Sequence, residues 1–159
     1  MSNLDIHLTP ETHQRLMEEL EDLTTRGRID IARAIEDARA LGDLSENGDY
    51  HAAKDFQGKM ESRIRQLQAT LKDCVIVNTV EASSGGTVTT GALVAIRYEG
   101  DDEMEWFLVG SIEERRDNVT VVSPGSPLGQ ALLGQAPGET VEYESPGGTL
   151  RVEIMEIGE

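Results

Sequence analysis

Ala38-Arg39-Ala40-Leu41-Gly42-Asp43-Leu44-Ser45-Glu46-Asn47-Gly48-Asp49-Tyr50 separates two long stretches of helical periodicity. Upstream, apolar residues recur at Leu16, Leu20, Leu23, Ile31, Ile35 and Ala38, mostly at spacings of three and four or their sums. Downstream, Ala53, Met60, Ile64, Leu67, Leu71 and Cys74 follow a heptad-like pattern, with Gln57 filling one seam position. Charged residues take most of the remaining positions. Two amphipathic helices joined by a short glycine-containing loop pack antiparallel and bury their stripes on each other. The quoted stretch is therefore the tip of a helical hairpin roughly 40 Å long at ~1.5 Å per residue. It carries two carboxylates, Asp43 and Glu46, between turn-prone glycines. Acids at the far end of a rod suggest a protein that reaches into something else and completes a site there.

The helical pattern runs from Leu8 to about Val75. Thr9 is placed to cap its start, Pro10 suits the first turn, and Glu11 favours the positive end of the dipole. Thr24-Thr25-Arg26-Gly27 predicts a local irregularity, because β-branched residues and glycine lower helix propensity. Beyond Glu81 the pattern changes. Ala82-Ser83-Ser84-Gly85-Gly86-Thr87 has the composition of a linker or turn. Strand-like runs follow at Ala92 to Tyr98, Glu105 to Ile112, Asn118 to Val122, Thr140 to Tyr143 and Thr149 to Ile157, separated by turn signals. One short helix interrupts them, with Ser126 as cap, Pro127 in its first turn and Gly134 at its end. The expected fold is α+β: a hairpin domain over 1–78, then a small antiparallel sheet domain with one helix over 79–159.

At 159 residues, with 14 basic and 30 acidic, the chain has a net charge of −16. Free nucleic acid is a poor primary partner for such a chain, since phosphate binding needs clustered Lys and Arg. A basic protein surface or channel fits better, and the acidity also serves simple solubility. The cations concentrate on the hairpin: Arg26, Arg28, Arg33, Arg39, Lys54, Lys59, Arg63 and Arg65 all lie there. They are either a phosphate-directed surface or solvated helix faces with i,i+4 ion pairs. Cys74 is the only cysteine, which fits a reducing compartment. No secretory signal and no bilayer-length apolar run is visible, so the expectation is a soluble cytoplasmic protein. His7, His13 and His51 are scattered and form no zinc ligand set with one cysteine.

Asp43 and Glu46 are three apart in a turn, close enough for both to approach one cation. Mg²⁺ is commonly held by one or two carboxylates plus substrate phosphates, and keeps several waters. An exposed pair binds it weakly alone and well where a second protein supplies another metal and the phosphate. In two-metal phosphoryl chemistry one ion activates water and the other stabilises the leaving oxygen. The competing reading is that acids, glycine and asparagine are ordinary loop residues and acids suit a helix start.

The segment Gly42-Asp43-Leu44-Ser45-Glu46-Asn47-Gly48-Asp49-Tyr50-His51-Ala52-Ala53-Lys54 resembles the tip signature of the bacterial transcript cleavage factors of the GreA/GreB family. The likeness extends to Leu8-Thr9-Pro10-Glu11, to Glu18-Glu19-Leu20, to Arg63-Ile64 and Leu67, and to Ser123-Pro124-Gly125-Ser126-Pro127-Leu128-Gly129-Gln130-Ala131-Leu132-Leu133-Gly134. It covers nearly the whole chain, and the spacing looks more like the GreA branch. The resemblance implies an N-terminal coiled coil, an FKBP-like C-terminal domain, and a monomer that binds bacterial RNA polymerase. It implies that the coiled coil enters the secondary channel and the C-terminal domain docks at its mouth. It implies that Asp43 and Glu46 help hold a catalytic Mg²⁺ and its water while the polymerase cleaves the 3′ RNA of a backtracked complex. The factor would assist the polymerase and not be an enzyme itself. Ser123 and Gln130, beside the short helix, are candidate polymerase contacts. Ala40 stands where many relatives have an acid, Gly48-Asp49 replaces the commoner Ala-Glu, and Arg26-Gly27 replaces a frequent Arg-Pro. None of these removes the tip acids.

Three other functions compete. Relatives with this architecture can occupy the channel as regulators or inhibitors without promoting cleavage, although altered tips are expected of them. A free-standing metal phosphodiesterase lacks a histidine cluster. Prolyl isomerase activity would need Tyr98, Trp106, Phe107 and Tyr143 to line a pocket, whereas sheet core accounts for them more simply.

Overall fold

The computed structural model describes residues 6–42 and 46–158. Contacts gather Gln14–Asp73 into one compact unit and Met1–His13 with Cys74–Glu159 into another. The segment through His13 thus groups with the sheet, where the sequence suggested a single division at 78/79.

The helical unit is a two-armed hairpin. Its first arm runs through α1 (Pro10–Asp22), a π-helical turn (Leu23–Gly27) and α2 (Arg28–Arg39). The π turn falls on the irregularity expected at Thr24-Thr25-Arg26-Gly27. The Thr24 and Thr25 hydroxyls donate to the carbonyls of Leu20 and Glu21 at 2.8 and 2.7 Å, a back-bonding that bends helices. The second arm is α3 (Gly48–Lys72), whose 25 residues span about 37 Å. Ile31 and Ile35 of α2 meet Met60 and Ile64 of α3 in the buried seam, flanked by Leu20, Leu23, Tyr50 and Ala53. Two forked ion pairs cross between the arms, Arg28 to Glu61 and Arg63 to Glu19.

The expected helix to Val75 stops at Lys72. Asp73 is an unfavourable charge for a helix C-terminus, and the β-branched Val75-Ile76-Val77 that follow prefer extended backbone. Strand β2 (Val75–Ile76) pairs in parallel with β1 (His7–Leu8), a two-stranded sheet that the sequence reading had absorbed into helix. A short α4 (Thr79–Ser83) then occupies part of the supposed linker. The Asn78 side chain caps it by accepting the N–H groups of Val80 and Glu81.

The main sheet contains β3 (Leu93–Tyr98), β4 (Glu105–Val109), β5 (Thr120–Val122), β6 (Thr140–Ser145) and β7 (Gly148–Ile157), in the order β5-β4-β3-β7-β6. The α+β class holds, but the sheet is not wholly antiparallel. β5 runs parallel to β4, with Phe107 opposite Thr120 and Val109 opposite Val122. The connection over residues 110–119 supplies the return path that a parallel neighbour requires. Asn118 takes φ +62 just before β5, a left-handed conformation that asparagine tolerates. Helix α5 (Pro127–Leu132) begins as expected, with the Ser126 hydroxyl accepting the Gly129 N–H at 3.1 Å. Its Leu128 and Leu132 join Val94, Ile96, Phe107, Val109, Val152 and Ile154 in the core. Among the described residues no helix is long and apolar enough to cross a membrane.

Candidate functional site

The last turn of α2 unwinds toward the tip. The N–H groups of Leu41 and Gly42 reach back only three residues, to the carbonyls of Ala38 and Arg39. Gly42 takes φ +125, which L side chains rarely adopt, so glycine is required there. Asp43 lies outside the described residues. Glu46 lies within them, exposed, on a bend immediately before α3.

Asn47 holds the two arms together at this end. It has extended backbone (φ −85, ψ 99), and its Oδ1 accepts the Tyr50 N–H at 3.1 Å, an N-cap for α3. Its Nδ2 donates to the Ala38 carbonyl, one of the orphaned acceptors at the end of α2. Behind it, the Arg39 guanidinium lies 5.8 Å from the Tyr50 ring centroid, and the His51 ring meets Tyr50 edge-on at 5.6 Å. Tyr50 in turn packs against the seam. Sequence reading treated Asn47 as a common loop residue. Its position three before Tyr50, at the start of a heptad pattern, was the available cap signal.

Among the described residues no three His, Cys, Asp or Glu side chains converge as a metal site. The donor chemistry of the tip is carboxylate oxygen, which suits Mg²⁺, and the second tip acid is at most one further ligand.

Most hairpin cations are engaged locally. Arg26 pairs with Asp22 and Lys59 with Asp55, both at 3.0 Å and four residues apart. Lys54 donates to Gln57 and Arg65 to Ser62. Hydrogen bonding to Arg28 holds the Glu61 carboxyl below its usual range and raises the guanidinium in return. These contacts support the solvated-face reading for those residues.

In the sheet unit Ser123 is half-buried in the turn before α5. Its carbonyl accepts the Ser126 N–H and hydroxyl, and its own hydroxyl accepts the Gly125 N–H. Gln130 is exposed on α5. Phe107 is buried in the core and Tyr98 shares a 3.0 Å hydrogen bond with Tyr143. The concavity of about 440 Å³ beside Tyr98 is lined mainly by charged groups, among them Arg97, Asp101, Asp102, Arg151 and Glu153. It is not the apolar pocket that an aromatic-lined binding site needs.

Residues 6–76 match the family described as "Transcription elongation factor, N-terminal", and residues 82–159 match "Transcription elongation factor, GreA/GreB, C-term". The chain is similar to transcription elongation factor GreA of Saccharopolyspora erythraea, at 44% identity over 93% of this chain and 91% of that one. It is similar to GreA of Roseiflexus castenholzii at 40% identity over 99% of each. Among solved structures it resembles the GreA factor homolog 1 (Gfh1) protein of Thermus thermophilus, at 25% identity over 98% of this chain and 99% of that chain, with a TM-score of 0.43. The chain belongs to the GreA/GreB family of transcription elongation factors.

Proposed function

We propose that this elongation factor acts in the cytoplasm as a monomer on bacterial RNA polymerase, entering the secondary channel tip first and stimulating cleavage of the 3′ RNA in backtracked complexes. The observation that carries the reading is the exposed Glu46, at the closed end of a two-helix hairpin that ends in the family's acidic tip. Glu46 and Asp43 would hold Mg²⁺ jointly with the polymerase, which would supply Lewis-acid activation of a water. The hairpin's part is to carry carboxylate oxygens to the phosphodiester without hydrolytic machinery of its own. Ser123 and Gln130 remain candidates for polymerase contact.

The test is cleavage of labelled RNA in a stalled, backtracked polymerase complex by wild type, Asp43→Asn and Glu46→Gln. Short 3′ fragments released by wild type and lost in both variants, with polymerase binding retained, support the reading. Binding without fragments from any of the three overturns it in favour of a channel-occupying regulator. Hydrolysis with no polymerase present would make the protein an enzyme.

A further inference from the structure

We propose that Asn47 is a positioning residue for Glu46, fixing the direction in which that carboxylate leaves the hairpin; this rests on the reading of Glu46 as the acid offered to the polymerase. Asn47 is held on both sides. Its Nδ2 donates to the Ala38 carbonyl nine residues earlier, and its Oδ1 accepts the Tyr50 N–H three residues later. One side-chain amide thus bridges the last turn of α2 and the first turn of α3.

The anchors on either side are firm. Ala38 is buried, and Tyr50 packs on the seam beneath the Arg39 guanidinium. Glu46 adjoins Asn47 directly, so its Cα is held ~3.8 Å from a clamped Cα. The Glu46 side chain is exposed, and its backbone is joined directly to the clamped residue.

Residue chemistry supports the same assignment. A helix N-cap needs only an acceptor, and Ser, Thr or Asp would serve. The amide places its acceptor and its donor on two separate atoms, Oδ1 toward Tyr50 and Nδ2 toward Ala38, where a hydroxyl has one oxygen for both. The donor half of Asn47 is therefore surplus to capping and is explained by closure of the tip. Misplacement of a reacting group by ~1 Å can cost about a hundredfold in rate, so a carboxylate delivered into a partner's site depends on such closure.

The test compares wild type with Asn47→Ser, which keeps a capping acceptor and removes the amide nitrogen that reaches the Ala38 carbonyl. Amide exchange of the free protein reads the clamp without any cleavage. The amides of Leu41 and Gly42 should exchange about fivefold to tenfold faster in the variant, the value of one net hydrogen bond. In the backtracked polymerase complex the Mg²⁺ concentration for half-maximal cleavage should rise by a similar factor. Polymerase affinity and helix content should stay within about twofold and near wild type respectively. Unchanged exchange and an unchanged Mg²⁺ midpoint would overturn the proposal. So would a joint fall in affinity and thermal midpoint with the Mg²⁺ midpoint unmoved, since that marks a purely structural cap. Wild type that binds without cleaving removes the reading of Glu46 and the proposal with it, whereas wild-type cleavage with an unaltered variant removes the proposal alone.

Discussion

The buried Glu114 carboxylate accepts the Thr9 hydroxyl at 2.6 Å through Oε1 and the Thr9 N–H at 3.3 Å through Oε2, joining residues 105 positions apart. The same Thr9 oxygen accepts the Thr12 N–H, so one hydroxyl both caps the first turn of α1 and neutralises a buried acceptor. Glu114→Ala would leave the Thr9 donors buried and unpaired, and Thr9→Val would remove the short hydroxyl bond and leave the carboxylate only the longer one from the residue-9 N–H. Each should cost the sheet unit about 2 to 3 kcal/mol. The double variant should fall short of the sum by about 1 kcal/mol. Urea unfolding followed by Trp106, the single tryptophan, reads this unit. Additivity to within about 0.5 kcal/mol would mean the two residues act independently.

Gly129 is set by its neighbour's backbone. A Cβ there would stand 2.0 Å from the Ser123 carbonyl oxygen and 3.1 Å from the Pro124 Cα. That carbonyl is already the acceptor for the Ser126 N–H and hydroxyl. Gly129→Ala must push the Ser123 backbone aside and strain both bonds, at a cost of about 3 kcal/mol or more. Gly125→Ala, whose Cβ would meet nothing closer than the Ser123 hydroxyl at 3.9 Å, should change stability by less than ~0.5 kcal/mol. Equal unfolding midpoints for the two variants would remove the steric account.

These two cases mark where sequence reading reached and where it stopped. Ser126, Pro127 and Gly134 punctuate α5 through local backbone chemistry, so its limits were legible. The glycine at 129 was legible only as part of a family signature, because its cause is a carbonyl six residues away in a turn. The runs Ala92 to Tyr98 and Glu105 to Ile112 announced strands by composition, which the structure trims to Leu93–Tyr98 and Glu105–Val109. The parallel seating of Thr120–Val122 beside β4 was not announced, since pairing direction depends on how residues 110–119 return. Nothing in its residue type sets Glu114 apart from the other acids of a chain that has 30. At the tip, residue types disclosed the acids and missed the clamp, because the Asn47 contact with Ala38 exists only once the arms are side by side.

Across the hairpin, Arg63 forks onto Glu19 with Nε and Nη2 at 2.8 and 3.0 Å from its two oxygens. Their side chains retain only 27% and 34% of their exposure, whereas Arg26 and Asp22 retain 74% and 49%. A forked, partly shielded pair between two arms keeps more of its attraction than an exposed pair within one helix. Glu19→Gln should lower hairpin stability by about 1 kcal/mol, and Asp22→Asn by less than ~0.5 kcal/mol. Helix content against temperature measures both. The difference should shrink in about 1 M salt, where the screening length falls to ~3 Å. Equal losses from the two substitutions would mean that the inter-arm fork adds nothing to an ordinary i,i+4 pair.

Tyr98 gives the sheet unit an alkaline limit. Burial pushes its phenol pKa well above the usual 10, and the hydrogen bond with Tyr143 and the negative charge of Glu105 push it further. The folded protein therefore holds this proton more tightly than the unfolded chain. The resulting stabilisation is fully present below pH ~10 and is lost as pH rises from there through the folded value. Urea midpoints followed by Trp106 should be level between about pH 8 and 9.5 with respect to this group, then decline. Tyr98→Phe should lower the midpoint at pH 8, by leaving the Tyr143 hydroxyl without its partner, yet decline less steeply above pH ~10. Other groups also titrate in that range, so the comparison lies in the slopes and not in the wild-type curve alone. Parallel alkaline slopes in the two proteins would mean that Tyr98 ionises alike in the folded and unfolded chains, and that its partly buried place beside Tyr143 shields it less than the packing implies.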